Sequence, residues 1–159
     1  MSIVLAPSAV AQSAQDQAEI RSAYARAALG AKYKVVDTML SLRAPGFETL
    51  AQDGSRVNAG GDRARCAALF RTATRVRLVF DVKSFETKKN GITCSARHVF
   101  EVETVNPITA KLEASQIESL VEDYWIKTPV GWKIWRSQVK QQRVLSLHKF
   151  KPDPDMPVW

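Results

Sequence analysis

Near residue 75 the apolar side chains change their spacing from helical to alternating, and the alternation then persists almost to the end of the chain. Before that point, Ala18, Ile20, Ala23, Tyr24, Ala27 and Ala28 recur close to the 3.6-residue period of an amphipathic helix. After it, Val76, Leu78, Phe80 and Val82 alternate with Arg77, Val79, Asp81 and Lys83, the two-residue period of a half-buried strand. Asn90-Gly91 and Thr128-Pro129-Val130-Gly131 carry turn chemistry, and Asn106-Pro107 interrupts the run between them. Four long antiparallel strands near 75–89, 92–105, 109–127 and 132–147 are therefore predicted. Helices followed by such a run must cover one face of the sheet, so the fold class is α+β.

The first half supplies the cover. A helix is predicted over 15–29, weakened at Gly30 and resumed through Tyr33, Val36, Met39, Leu40 and Leu42 until Pro45-Gly46 stops it. Phe47–Gln52 and Arg56–Ala59 flank Asp53-Gly54, a tight-turn dipeptide, and read as two short strands. Asp62 then serves as N-cap for a third helix over 62–74, with Cys66, Leu69, Phe70 and Ala73 on its apolar face. With 159 residues the chain is large enough for one core, assigned to 15–147. Residues 1–14 read as a flexible terminus or signal-peptide remnant, and 148–159 as a proline-rich tail.

Charge and motifs exclude more than they select. The net charge of +7 raises nucleic acid as a partner, and Arg63, Arg65, Arg71, Arg75 and Arg77 form the densest basic segment. No stacking aromatics alternate with these arginines, which argues against that partner. There is no apolar run of 18 residues, so no membrane-spanning helix is expected. The stretch Ile3 to Ala11 ends in an A-x-A pattern, as at a signal-peptide cleavage site, but lacks a basic leader; cytoplasmic and exported locations both stay open. His98 and His148 are too far apart for metal-ligand spacing, and Cys66 and Cys94 read as small core residues. Neither a metal nor a phosphate-binding or cofactor motif is expected.

The stretch Asp123-Tyr124-Trp125-Ile126-Lys127-Thr128-Pro129-Val130-Gly131-Trp132-Lys133-Ile134 is similar to the terminal hairpin of SnoaL-like proteins, D-x-W-x-K-x-x-x-G-W-x-I. The helix around Tyr24 resembles the first helix of the same group. Residues 15–145 thus resemble the NTF2-like superfamily, which includes steroid isomerases, polyketide cyclases and scytalone dehydratases. That resemblance implies a cone: N-terminal helices packed on a strongly curved, mostly antiparallel sheet that encloses a pocket. It also implies a small, largely apolar ligand, a homodimer formed through the outer sheet face, and, if the protein is an enzyme, cofactor-free isomerisation, cyclisation or dehydration. A non-catalytic binding or dimerisation module is the alternative, since this fold hosts both.

Candidate site residues come from pairing the strands across their turns. A simple register sets Lys127 opposite Trp132, Trp125 opposite Ile134, Asp123 opposite Arg136 and Val121 opposite Gln138, all on one face. Trp125, Trp132, Arg136 and Gln138 then become ligand-binding candidates. In the steroid isomerases a first-helix Tyr and a protonated Asp donate to an oxyanion. Tyr24 and Asp123 fall where the resemblance expects them, but the separate carboxylate base is replaced by Leu50-Ala51-Gln52, with Asp53 held in a turn. The other hairpin sets Lys83 opposite His98 and makes Asp81 its diagonal neighbour, so His98 is the candidate base and Asp81 its partner at the ligand. The plainer readings make Asp123 a structural partner of Arg136, Tyr24 a core residue, and His98 a half-buried side chain linked to Asp81. Arg97, Glu101 and Glu103 face the other way, as a solvated charge ladder.

Overall fold

The structure, a computed structural model, describes residues 9–147, with side chains from residue 13 onward. The signal-remnant reading of residues 1–11 falls mostly outside the described residues, and the proline-rich tail does so entirely. Helix α1 (Ala9–Lys32) starts ahead of Gln15 and runs unbroken through Gly30. Its buried stripe is Ile20, Tyr24, Ala27 and Ala31, at the spacing that places them on one face. Gly30 is there for contact: a Cβ would sit 2.2 Å from the backbone nitrogen of Met39, so α2 (Val36–Leu40) packs against bare backbone.

Pro45-Gly46 does not stop a helix. Both lie inside β1 (Arg43–Leu50), where Gly46 takes a φ of 77° and the pairing register shifts between Arg43 and Glu48. β1 pairs antiparallel with β2 (Arg56–Asn58), and Asp53 is held in the intervening turn by the Ser55 amide at 2.9 Å. α3 (Ala59–Thr72) starts before Asp62; its cap is Asn58, whose side chain accepts from the Gly61 amide at 2.8 Å. Asp62, one turn inside, pairs with Arg43 instead.

The four long strands are β3 (Ala73–Lys88), β4 (Gly91–Val105), β5 (Leu112–Thr128) and β6 (Gly131–Leu147). Together with the short pair they form one open six-stranded sheet in the order β2-β1-β6-β5-β4-β3, antiparallel except where β1 runs parallel to β6. One core unites α1 with the middle of the sheet through Ile20, Tyr24, Phe47, Cys94, Val121, Trp125 and Ile134. A second, around Met39, Phe70, Val76 and Val102, seats α2 and α3. Lys127 reaches Glu19 at 2.8 Å and Trp132 donates its indole N–H to Asp16 at 2.8 Å, tying α1 to the last hairpin.

Two register corrections decide which side chains meet. The β3–β4 turn is centred on Lys89-Asn90, since Lys88 pairs with Gly91, and a further shift falls between Val82 and Ser84. His98 is therefore opposite Phe80, not Lys83, while Asp81 is opposite Arg97 on the other face and pairs with Lys83. In the β5–β6 hairpin Lys127 and Trp125 meet Trp132 and Ile134 as expected, but a shift at Tyr124/Trp125 leaves Trp135 as the extra residue of a bulge. Beyond it Asp123 is opposite Ser137 and Val121 opposite Val139, so Arg136 and Gln138 turn to the outer face. Arg136 binds Glu48 there, at 2.7 Å.

Candidate functional site

A cavity of about 350 Å³ opens between the inner face of the sheet and the wall formed by α2, α3 and the start of β1. Its sheet wall is Leu78, Phe80, His98, Phe100, Ile117, Ser119, Val121, Ser137 and Val139, inward residues of four neighbouring strands. Its helical wall is Met39, Leu42, Arg43, Asp62, Arg65, Cys66 and Leu69. The lining surface is mostly apolar, as in sites that hold small organic molecules, with Thr49 and Gln142 joining Ser119, Ser137, His98 and the charged side chains of β1 and α3 as its polar members.

His98 stands in this lining with Asp123 directly behind it. Asp123 is fully buried and does not reach the cavity surface. Its Oδ2 lies 3.1 Å from His98 Nε2 and accepts the Tyr24 hydroxyl at 2.5 Å, while Oδ1 accepts the Ser137 hydroxyl. The His98 contact has the length of an ion pair, but its N–H points off the line of a good hydrogen bond. Such contacts often lie off line and tighten when a ligand is held. Burial alone would push the Asp123 carboxyl up. The charge His98 bears when protonated, with donors from His98, Ser137 and Tyr24, outweighs burial and holds the group below its ordinary value. Beside a protonated His98, Asp123 is thus a carboxylate.

The ring is fixed by neighbours as well as by charge. Phe80 meets it edge to face at 4.8 Å between centroids, and Tyr24 does so at 6.0 Å. With Nε2 facing Asp123, Nδ1 is the ring nitrogen left without a protein partner among the described residues. An imidazole so oriented can accept a proton at Nδ1 while its other nitrogen shares the new charge with the carboxylate.

This arrangement revises the expected roles. Asp123, Tyr24 and His98 do come together, but Tyr24 and Asp123 engage each other and not the cavity. Burial, then the Asp123 charge, raises the Tyr24 phenol well above 10.0, so the proton stays on the phenol oxygen and is donated to Asp123. A joint oxyanion donor built from Tyr24 and protonated Asp123 is therefore replaced by a buried carboxylate serving His98. Trp125 lies in the core against Tyr24, with ring centroids 5.0 Å apart, and Trp132 is bound to α1. Gln138 accepts from Tyr124 on the outer face at 3.4 Å, Arg136 binds Glu48, and Asp81 binds Lys83. None of these five lines the cavity.

Sequence reasoning missed Ser137, Arg43, Asp62 and Arg65. A bulge at Trp135 brings Ser137 to Asp123, and nothing in the run Trp132-Lys133-Ile134-Trp135 announces it. Arg43 stacks over Phe47 at 4.3 Å and pairs with Asp62 across the β1–α3 junction, a long-range contact with no local signature. Both cysteines are free: Cys66 borders the cavity, and burial pushes the Cys94 thiol up to about 11. Among the described residues no cluster of three or more His, Cys, Asp or Glu could hold a metal, and no helix is long and apolar enough to cross a membrane.

No protein-family model matches the chain, and no curated protein matches its sequence. Solved structures do match its shape. A hexachlorocyclohexane dehydrochlorinase (LinA) type 2 aligns with a TM-score of 0.64 at 11% identity, over 91% of this chain and 97% of that one. A candidate dehydratase of the NTF2-like family from Streptomyces avermitilis aligns with a TM-score of 0.61 at 12% identity, over 79% and 96%. An NTF2-like superfamily protein from Salmonella enterica aligns with a TM-score of 0.57 at 13% identity, over 80% and 91%. At these identities the likeness is one of fold, and the fold is NTF2-like.

Proposed function

We propose that this protein binds a small, largely apolar molecule in the cavity and removes a proton from it without a cofactor, as an isomerase, cyclase or dehydratase would. The observation that carries this reading is the fully buried Asp123 carboxylate 3.1 Å behind an imidazole that lines an apolar cavity. His98 Nδ1 takes the proton. The electron pair left on carbon either takes that proton back from the His98 imidazolium at another carbon, giving an isomer, or expels a leaving group from the neighbouring carbon; a departing hydroxide takes the His98 proton and leaves as water. Asp123 is the positioning residue: it selects the tautomer that leaves Nδ1 free and stabilises the imidazolium that forms. Ser137 and Tyr24 in turn hold Asp123 ionised. Two of the aligned structures carry names that denote elimination of a small molecule, which agrees with this chemistry.

The test is hydrogen exchange. Small β,γ-unsaturated and β-hydroxy ketones are incubated with protein in deuterated water, and loss of the C–H signal is followed by NMR. Wild type should accelerate exchange, and His98→Gln should lower that acceleration by roughly 10²–10⁴-fold. Equal rates for the two proteins would count against the base.

A second reading, a non-catalytic binding module, draws on the same burial: Asp123, Tyr24 and Ser137 lock three elements together. It expects His98→Gln to keep every measurable property, whereas Asp123→Ala loses stability. A homodimer belongs to either reading. The outer face offers Leu120 and Trp135 between its ion pairs as the contact, and sedimentation velocity tests it.

A further inference from the structure

We infer that the cavity is built for a molecule with an apolar body and one carboxylate, and that Arg65 is the counter-charge. The inference rests on the cavity being the ligand site, and it adds the ligand's class and polarity.

Besides His98, three charged side chains line the cavity: Arg43, Asp62 and Arg65. Arg43 and Asp62 neutralise each other, with their contacting Nη1 and Oδ2 atoms sealed from solvent. Arg65 follows Asp62 by one helical turn and so shares its face of α3. It is exposed and has no hydrogen bond, ion pair or ring contact among the described residues. The wall is therefore left with one uncompensated cation and no uncompensated carboxylate.

A cationic ligand would be repelled by Arg65 at this wall, and a neutral one would leave the guanidinium unused. A monoanion matches the single free charge, and a carboxylate matches the fork of a guanidinium with two parallel N–H···O bonds. Its attraction is strengthened by the apolar lining, which lowers the local dielectric. Arg65 lies on the helical wall and His98 on the sheet wall, so a carboxylate gripped by Arg65 extends its apolar body across the cavity toward Nδ1. Arg65 is in this sense a specificity-determining residue, acting on which molecules are held and how they are turned.

The experiment is calorimetric binding of phenylacetate, 4-phenylbutanoate and cyclohexanecarboxylate, each against its primary amide, to the full chain. At least one acid should bind at least about tenfold tighter than its amide, with affinity falling as salt is added. Arg65→Gln, at an exposed position, should fold normally and erase the difference between acid and amide. His98→Gln should keep the preference, because the preference does not depend on the base; exchange chemistry lost with the preference intact separates the two claims. Acids that bind no better than their amides, or do not bind at all, overturn the inference, as does a preference that survives Arg65→Gln.

Discussion

Asp123 and Glu118 lie on the same strand, five positions apart, and face opposite sides of the sheet. Glu118 faces outward between Arg97 and Arg143, each 2.7 Å away, and their hydrogen bonds lower its carboxyl to about 2. Asp123 faces inward, fully buried, with a histidine and two hydroxyls. Both are carboxylates held ionised, yet only Asp123 faces an imidazole, a group that can take up and pass on a proton. A carboxylate clamped by two arginines has permanent partners and can only anchor. One placed behind an imidazole changes what that imidazole does.

The outer face repeats the anchoring pattern. Arg77 meets Glu101 at 3.2 Å, Lys140 meets Glu122 at 3.0 Å, and Arg136 meets Glu48 at 2.7 Å. The expected ladder of Arg97, Glu101 and Glu103 is present, but it is not solvated at its acidic rungs: Glu101 is 4% and Glu103 7% exposed, beneath the arginine stems. Among the described residues, the inner face has a single such carboxylate near its centre, Asp123, packed among apolar side chains.

Removing each carboxylate tests the contrast most strongly. Asp123→Ala strands two hydroxyls and a histidine in the core and should cost about 3–5 kcal/mol in a urea or thermal melt. Glu118→Ala should cost clearly less, and its effect should shrink in high salt, because its partners stay in water. Similar losses for the two would erase the comparison. Next in size, Tyr24→Phe removes a donor to a charged group and should cost about 1.5–3 kcal/mol by the same melt, with the ring still packed on Phe80. Ser137→Ala belongs in the same range and should add to Tyr24→Phe less than fully, since both donors serve one carboxylate.

The smallest effects are read against pH. The folded value of Asp123 is lowered, so its contribution is present above the ordinary 3.8 and is lost as pH falls through the folded value. Cys94 behaves oppositely. Its folded value is raised from 9.0 to about 11, so the unfolded thiol ionises first and stability declines as pH rises between those values. Tyr24 extends that decline above 10.0. Cys94→Ala should flatten the alkaline limb of a melting-temperature profile and leave the acid limb in place, whereas Asp123→Asn should flatten the acid limb.

The periodicities made the helices, the four long strands and their order legible, because burial on one face imposes them. The turn Thr128 to Gly131 was legible too, and the register holds for Lys127/Trp132 and Trp125/Ile134 next to it. Legibility ended at the bulge: one extra residue, Trp135, turns Arg136 outward and Ser137 inward. Gly91 misled for another reason. It reads as half of a turn dipeptide, but it is the first residue of β4, where a Cβ would lie 2.0 Å from the Trp125 carbonyl oxygen. Its smallness serves strand packing, which only the fold reveals. The meeting of Tyr24 and Asp123 was suggested by the family resemblance, whereas their meeting with His98 needed the corrected register of two hairpins.

The most direct measurement is the protonation pattern of the His98 ring, read by nitrogen-15 NMR of uniformly labelled protein. The chain has only two histidines, and a His148→Gln variant assigns them. With Nε2 facing the Asp123 carboxylate, the neutral ring should carry its proton on Nε2, leaving Nδ1 bare. A neutral ring protonated on Nδ1, with Nε2 bare against Asp123, would contradict the account, because Nδ1, the proposed base, would then have no lone pair to take a proton.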